Sequence, residues 1–203
     1  TTYSFGVVWT PYDFGNFSIS LDYFKVEIED YIELTPLSSG QLIANCYDAS
    51  RGVGGAGSGS CSALTRDSNG SLTSVFGGYQ NLGLHEVDGF DLNIEYGRDL
   101  FSGYLDINYF ATKLLDRTIQ DDTFGDVFFS CIGKFNSDCD NLIDYPVFDF
   151  KHRLTMGWTK GDLELQLVWK YQSALEDGND EIEYFREKLD PYSLFDLSGR
   201  YTI

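Results

Sequence analysis

Basic residues are scarce in this 203-residue chain: Lys and Arg total 14 against 32 Asp and Glu, a formal net charge of −18. Phosphate recognition needs clustered cations, so a nucleic-acid partner is excluded. Long apolar runs are also missing, and no stretch approaches the ~18 consecutive apolar residues of a membrane helix. The first residues lack the charged-then-apolar pattern of a signal peptide. Neither absence excludes a membrane crossed by strands, because a β-strand spans one with roughly ten alternating residues and leaves little hydropathy signal. The two histidines, His85 and His152, are isolated and no CxxC occurs, so no metal site is assigned. No catalytic constellation stands out among the plentiful carboxylates, so the chain is read as a non-enzyme without a cofactor.

What the chain does hold in quantity is aromatic and small residues, with 14 Tyr, 16 Phe and 21 Gly beside four Pro and one Met. These favour pleated strands and tight turns over helices. The four cysteines fall in two local pairs inside polar segments, Cys46 with Cys61 and Cys131 with Cys139. Nearest-neighbour disulfides are the simplest pairing, although four cysteines allow three connectivities, and either way an oxidising compartment is favoured.

Alternation supplies the strands. Phe90, Leu92, Ile94 and Tyr96 share one face while Asp91, Asn93 and Glu95 share the other. The same period of two runs through Tyr3–Trp9, Phe17–Tyr23, Leu105–Ala111, Phe150–Trp158, Leu163–Tyr171 and Phe195–Ile203, seven strands in all. In one of them the apolar set moves from Tyr23 to Phe24, Val26 and Ile28. A β-bulge would explain that change of phase, and a strand that outgrows the bilayer would tolerate it.

Connections alternate between short ones, around Pro11 to Gly15, Gly97 to Phe101 and Lys160 to Asp162, and long ones, about Thr35 to Gln80, Thr118 to Val147 and Ser173 to Pro191. Structureless loops of that length argue against a compact soluble domain, whereas outer-membrane barrels combine short periplasmic turns with long extracellular loops. The apolar faces carry Leu, Ile and Phe centrally and Trp9, Tyr96, Trp158 and Trp169 toward strand ends, like aromatic girdles. The opposite faces are too polar for a soluble core. The expected fold is therefore all-β, an antiparallel transmembrane β-barrel segment. A soluble ligand- or carbohydrate-binding module and a porin- or adhesin-type barrel are the competing readings.

Three segments in order, NFSISLDYFKVEIEDYI (16 to 32), NLGLHEVDGFDLNIEYGRDL (81 to 100) and PYSLFDLSGRYTI (191 to 203), resemble the carboxy-terminal part of the barrel of TonB-dependent outer-membrane receptors. The likeness runs over nearly the whole of residues 1–203. It implies about seven strands of a barrel of about 22 around a plugged lumen, with the plug and the last strands outside this segment. It further implies residence in the outer membrane of a Gram-negative bacterium, lipid around the barrel, and import of a small extracellular ligand. That ligand would be a siderophore, vitamin, saccharide or metal chelate, and the energy would come from a TonB-type transducer acting through the plug and the segment preceding it.

Loops on a rigid scaffold carry recognition. The candidate ligand contacts are thus the loop aromatics Tyr47, Phe124, Phe128, Phe129, Phe135, Tyr184 and Phe185. The acidic cluster Glu176, Asp177, Asn179, Asp180, Glu181 and Glu183 lacks the spacing of a calcium loop and is read as solvated charge. No role is assigned to either histidine.

Overall fold

The computed structural model describes residues 1–34, 39–47, 59–76, 79–121, 127–130, 132–135, 147–178 and 185–203. In chain order the strands are β1 (Thr2–Trp9), β2 (Asn16–Leu34), β3 (Leu64–Arg66), β4 (Leu72–Val75), β5 (Tyr79–Leu100), β6 (Gly103–Asp121), β7 (Val127–Ser130), β8 (Lys134–Phe135), β9 (Phe150–Lys160), β10 (Leu163–Gln172), β11 (Leu175–Asp177), β12 (Lys188–Leu189) and β13 (Tyr192–Tyr201). Two helices, α1 (Ser39–Tyr47) and α2 (Gly59–Ser62), lie between β2 and β3.

The seven long strands form one antiparallel meander in the order β1-β2-β5-β6-β9-β10-β13, with β7 added to the far end of β6. Each corresponds to one of the alternating runs, since a run whose two faces differ in polarity settles as a strand between two environments. Register carries the pattern across the sheet. Trp9, Ile19, Ile94, Tyr109, Leu154, Trp169 and Phe195 are successive cross-strand partners, so a single row of apolar side chains crosses all seven strands. This apolar face is uncovered: Phe5 is 72% exposed, Phe195 61% and Leu197 78%. An open apolar surface of that extent suits lipid and not water.

The short connections all lie at one end. Between β5 and β6 the pair Leu100↔Gly103 encloses Phe101 and Ser102, both at positive φ (53° and 60°), as in the primed turns that match strand twist. Gly161, at φ 55°, does the same for the pair Lys160↔Leu163. The Gly97-Arg98-Asp99 step expected as part of a turn is instead inside β5. Gly97 is needed there because the Tyr104 hydroxyl stands where a Cβ would be.

The β-bulge expected after Tyr23 is absent. β2 keeps one register with β1 and β5 through Tyr23 to Val26, and with β5 on to Ile28. The register shift falls two strands away, where Leu114 pairs with Gly89 and Asp116 with Asp88, leaving Leu115 extra in β6. At the long-loop end α1, α2 and the β3–β4 hairpin make a small unit of their own. Leu42 (1% exposed) and Ala63 (5%) form its centre with Val75 against them, and the Cys46–Cys61 disulfide joins the two helices. Cys131 and Cys139 lie outside the described residues.

Candidate functional site

The face opposite the apolar one is polar and laced with side-chain bonds. The Thr112 hydroxyl donates to Asp91 at 2.6 Å, Asn16 donates to the Tyr104 hydroxyl at 3.0 Å, and ion pairs join Arg200 to Glu164 at 2.7 Å and Lys170 to Asp196 at 3.4 Å. Glycines admit the larger neighbours. The Asp22 carboxylate fills the Cβ space of Gly6, and that of Asp106 fills the space of Gly157. A hollow of about 330 Å³ at the short-turn end is bounded by Asp106, Gly157, Gln166 and the Glu164–Arg200 pair. Such a wall suits water or a polar filling.

Above Tyr23 the two faces exchange character. On the side continuous with the apolar face stand Lys25, Glu27, Glu86, Asp88 and Asp116, tied together by Lys25–Glu86 at 2.7 Å, by the Tyr23 hydroxyl donating to Asp88 at 3.0 Å, and by Thr118 donating to Asp116 at 2.9 Å. On the side continuous with the polar face stand Phe24, Val26, Ile28, Val87 and Leu114, with Arg117 and His85 among them. Phe24 lies over Gly89, which has no side chain to obstruct it. A strand leaving the bilayer meets water on its outer side, which therefore turns charged. The inner side turns apolar over the same residues, and water alone does not require that. This inner wall is the candidate site.

At the rim between the two zones Lys113 pairs with Asp149 at 2.6 Å. Burial alone would raise the Asp149 carboxyl, but hydrogen bonds from Lys113 and Ser173 and the Lys113 charge outweigh it and hold the group below the usual carboxylate value. Among the described residues no group of three or more His, Cys, Asp or Glu is placed to hold a metal ion. His152 sits on the apolar face inside four aromatic rings, those of Tyr109, Phe150, Trp169 and Tyr171, at centroid distances of 5.3, 5.8, 4.4 and 5.2 Å. It is a packed ring of the girdle.

Among the described residues the loop aromatics stand in several settings. Tyr47 is exposed on α1, with the Arg66 guanidinium over its ring at 5.6 Å. Phe135 is partly buried in β8, which pairs with β11 opposite Asp177, and β11 in turn pairs with β12. Phe185 is fully exposed. Phe128 and Phe129 lie in β7, whose backbone extends the sheet beside β6. Phe124 and Tyr184 are outside the described residues. Phe24, Val26, Ile28, Val87, Leu114 and Arg117, which line this candidate wall, are not among the residues singled out from the sequence. Their signal was the phase change after Tyr23, which marks a change of surroundings and not a bulge.

No curated protein matches the sequence. Among solved structures, a variant of the ferric enterobactin receptor of Pseudomonas aeruginosa superimposes with a TM-score of 0.58 over 100% of this chain, at 12% identity. The chain spans 23% of that receptor's length. At such identity the likeness establishes the fold alone, an open antiparallel sheet matching a stretch of a barrel wall. The family model for the TonB dependent receptor-like β-barrel matches residues 1–203. With apolar and polar faces, short turns and long loops in the arrangement such a barrel wall requires, the chain belongs to the TonB-dependent receptor-like β-barrel family.

Proposed function

We propose that the chain is a seven-strand sector in the wall of a larger outer-membrane receptor of a Gram-negative bacterium, which captures a scarce small nutrient and imports it. The remaining strands and the plug belong to other parts of the same receptor, and a TonB-type transducer of the inner membrane supplies energy through the plug and its preceding segment. Lipid surrounds the apolar face. The exchange of polarity above Tyr23 carries this reading: a passive lumen has no use for an apolar inner wall in water, whereas a ligand seated at the mouth does. Tyr47, Phe124, Phe128, Phe129, Phe135, Tyr184 and Phe185 contribute from the loops as further ligand contacts.

The test is uptake. Cells expressing the full receptor, with and without a functional transducer, are offered ferric chelates, cobalamin and maltodextrins at concentrations too low for passive entry. Accumulation of at least one class only when both proteins are present is expected. Equal accumulation without the transducer, or none of any class, refutes the proposal.

A further inference from the structure

Three cations of the inner wall, Arg117, Lys151 and Arg153, have no ion-pair partner among the described residues. Arg117 is partly buried, and its Nε is enclosed without a hydrogen-bond partner among the described residues. Its cross-strand partner is Val87, and Leu114, Val26 and Phe24 occupy the neighbouring inner positions. Lower on the same wall, Lys151 pairs across the strands with Thr112, and Arg153 with Phe110. Lys151 has the Phe148 ring 5.9 Å from its ammonium. Arg153 directly opposes Lys170, whose ammonium Asp196 holds at 3.4 Å. Lys25, Lys113, Lys170, Lys188 and Arg200, by contrast, each hold a carboxylate.

The three cations lie along one seam. Two residues on β9 separate Lys151 from Arg153, about 7 Å, and Arg117 stands about 15 Å farther toward the mouth along β6. A guanidinium desolvated by apolar neighbours gains most from a planar anion that bonds its fork. We propose that Arg117, Lys151 and Arg153 form an anion track from mouth to lumen, and that Arg117 with Phe24, Val26, Val87 and Leu114 seats a small ligand with an apolar body and a carboxylate-like group. The inference rests on the receptor reading above and names its ligand class.

Salicylate and its neutral amide, salicylamide, are the probes, titrated onto the purified full-length receptor and followed by ligand-observed NMR. Saturable binding of salicylate, at least tenfold tighter than salicylamide and weakening with added salt, is expected. Arg117→Gln reduces salicylate affinity at least tenfold and leaves salicylamide unchanged, Arg117→Lys restores part of the loss, and Arg153→Gln causes a smaller loss. Equal affinities for the two probes, or no saturable binding of salicylate, overturns the proposal. So does an Arg117→Gln receptor whose plug loosens with no change in charge preference, since the guanidinium then faces the plug. Energised uptake is measured alongside: charge-blind binding with intact uptake removes this inference alone, and charge-selective binding without uptake removes the receptor reading alone.

Discussion

Replacing Leu167 by Arg tests the membrane geometry most directly. A tilted strand gains about 2.3 Å of height per residue, from a rise of about 3.3 Å at about 45°. The apolar band of an outer-membrane barrel is about 25 Å tall, so its midplane lies roughly five residues from a turn at its edge. Counted from the turn at Gly161–Asp162, that residue is Leu167, flanked by Met156 and Leu197 in its row. Leu165, beside Trp158, sits two residues nearer the girdle. Leu167→Arg therefore costs about 2–4 kcal/mol, Leu165→Arg less, and Gln166→Arg on the polar face about 1 kcal/mol or under. The assay is reversible unfolding of the full receptor in phospholipid vesicles, with the three variants compared by their midpoints. Equal costs at Leu167 and Gln166 refute the assignment of faces, and a larger cost at Leu165 than at Leu167 refutes the placement of the midplane.

Cys46→Ser opens a loop spanning a sequence separation of 15 residues and removes about 3 kcal/mol from the small unit around Leu42 and Ala63. Protease cleavage between α1 and α2 is expected to speed up on reduction, with barrel melting unchanged. Gly157→Val drives a side chain into the Asp106 carboxylate and costs about 1–3 kcal/mol, and Asp106→Gly in the same chain restores most of it, as the melting temperature of the double variant will report. Because the Asp149 carboxyl is held below its unfolded value, its stabilisation is complete above the unfolded carboxylate range, about pH 4, and is lost as pH falls through the lower folded value. Asp149→Asn is expected to flatten that acid-side loss in a pH series of unfolding midpoints. Its size stays small, because the Asp149 side chain is 34% exposed and screened by solvent.

Strand existence was legible because the two faces of each long strand differ in polarity, and a period of two is the mark that difference leaves on a sequence. Phe90 to Tyr96 and Leu163 to Tyr171 needed no tertiary information to be read. Gly97 was misread because a glycine that ends a strand and a glycine that admits a neighbour's hydroxyl look alike until Tyr104 is placed beside it. The step after Tyr23 reads as a local bulge, while the bulge that does occur is two strands away at Leu115, where the adjacent Leu114 and Leu115 break the alternation of β6. The candidate site was the least legible. Its residues come from β2, β5 and β6, and nothing in the spacing of Phe24, Val87 and Arg117 announces that they share a wall.

Composition and local periodicity sufficed for the class of fold, the seven long strands, the side of each that is apolar near the short turns and the end that carries long loops. All of these follow from each residue's own preference for an apolar or aqueous neighbour. Register, the height of a residue above the short turns, the partner that fills a glycine's space and the meeting of the Arg117 guanidinium with an apolar wall arise from pairing between distant strands. They depend on which residue stands opposite which, and that was settled only when the sheet assembled.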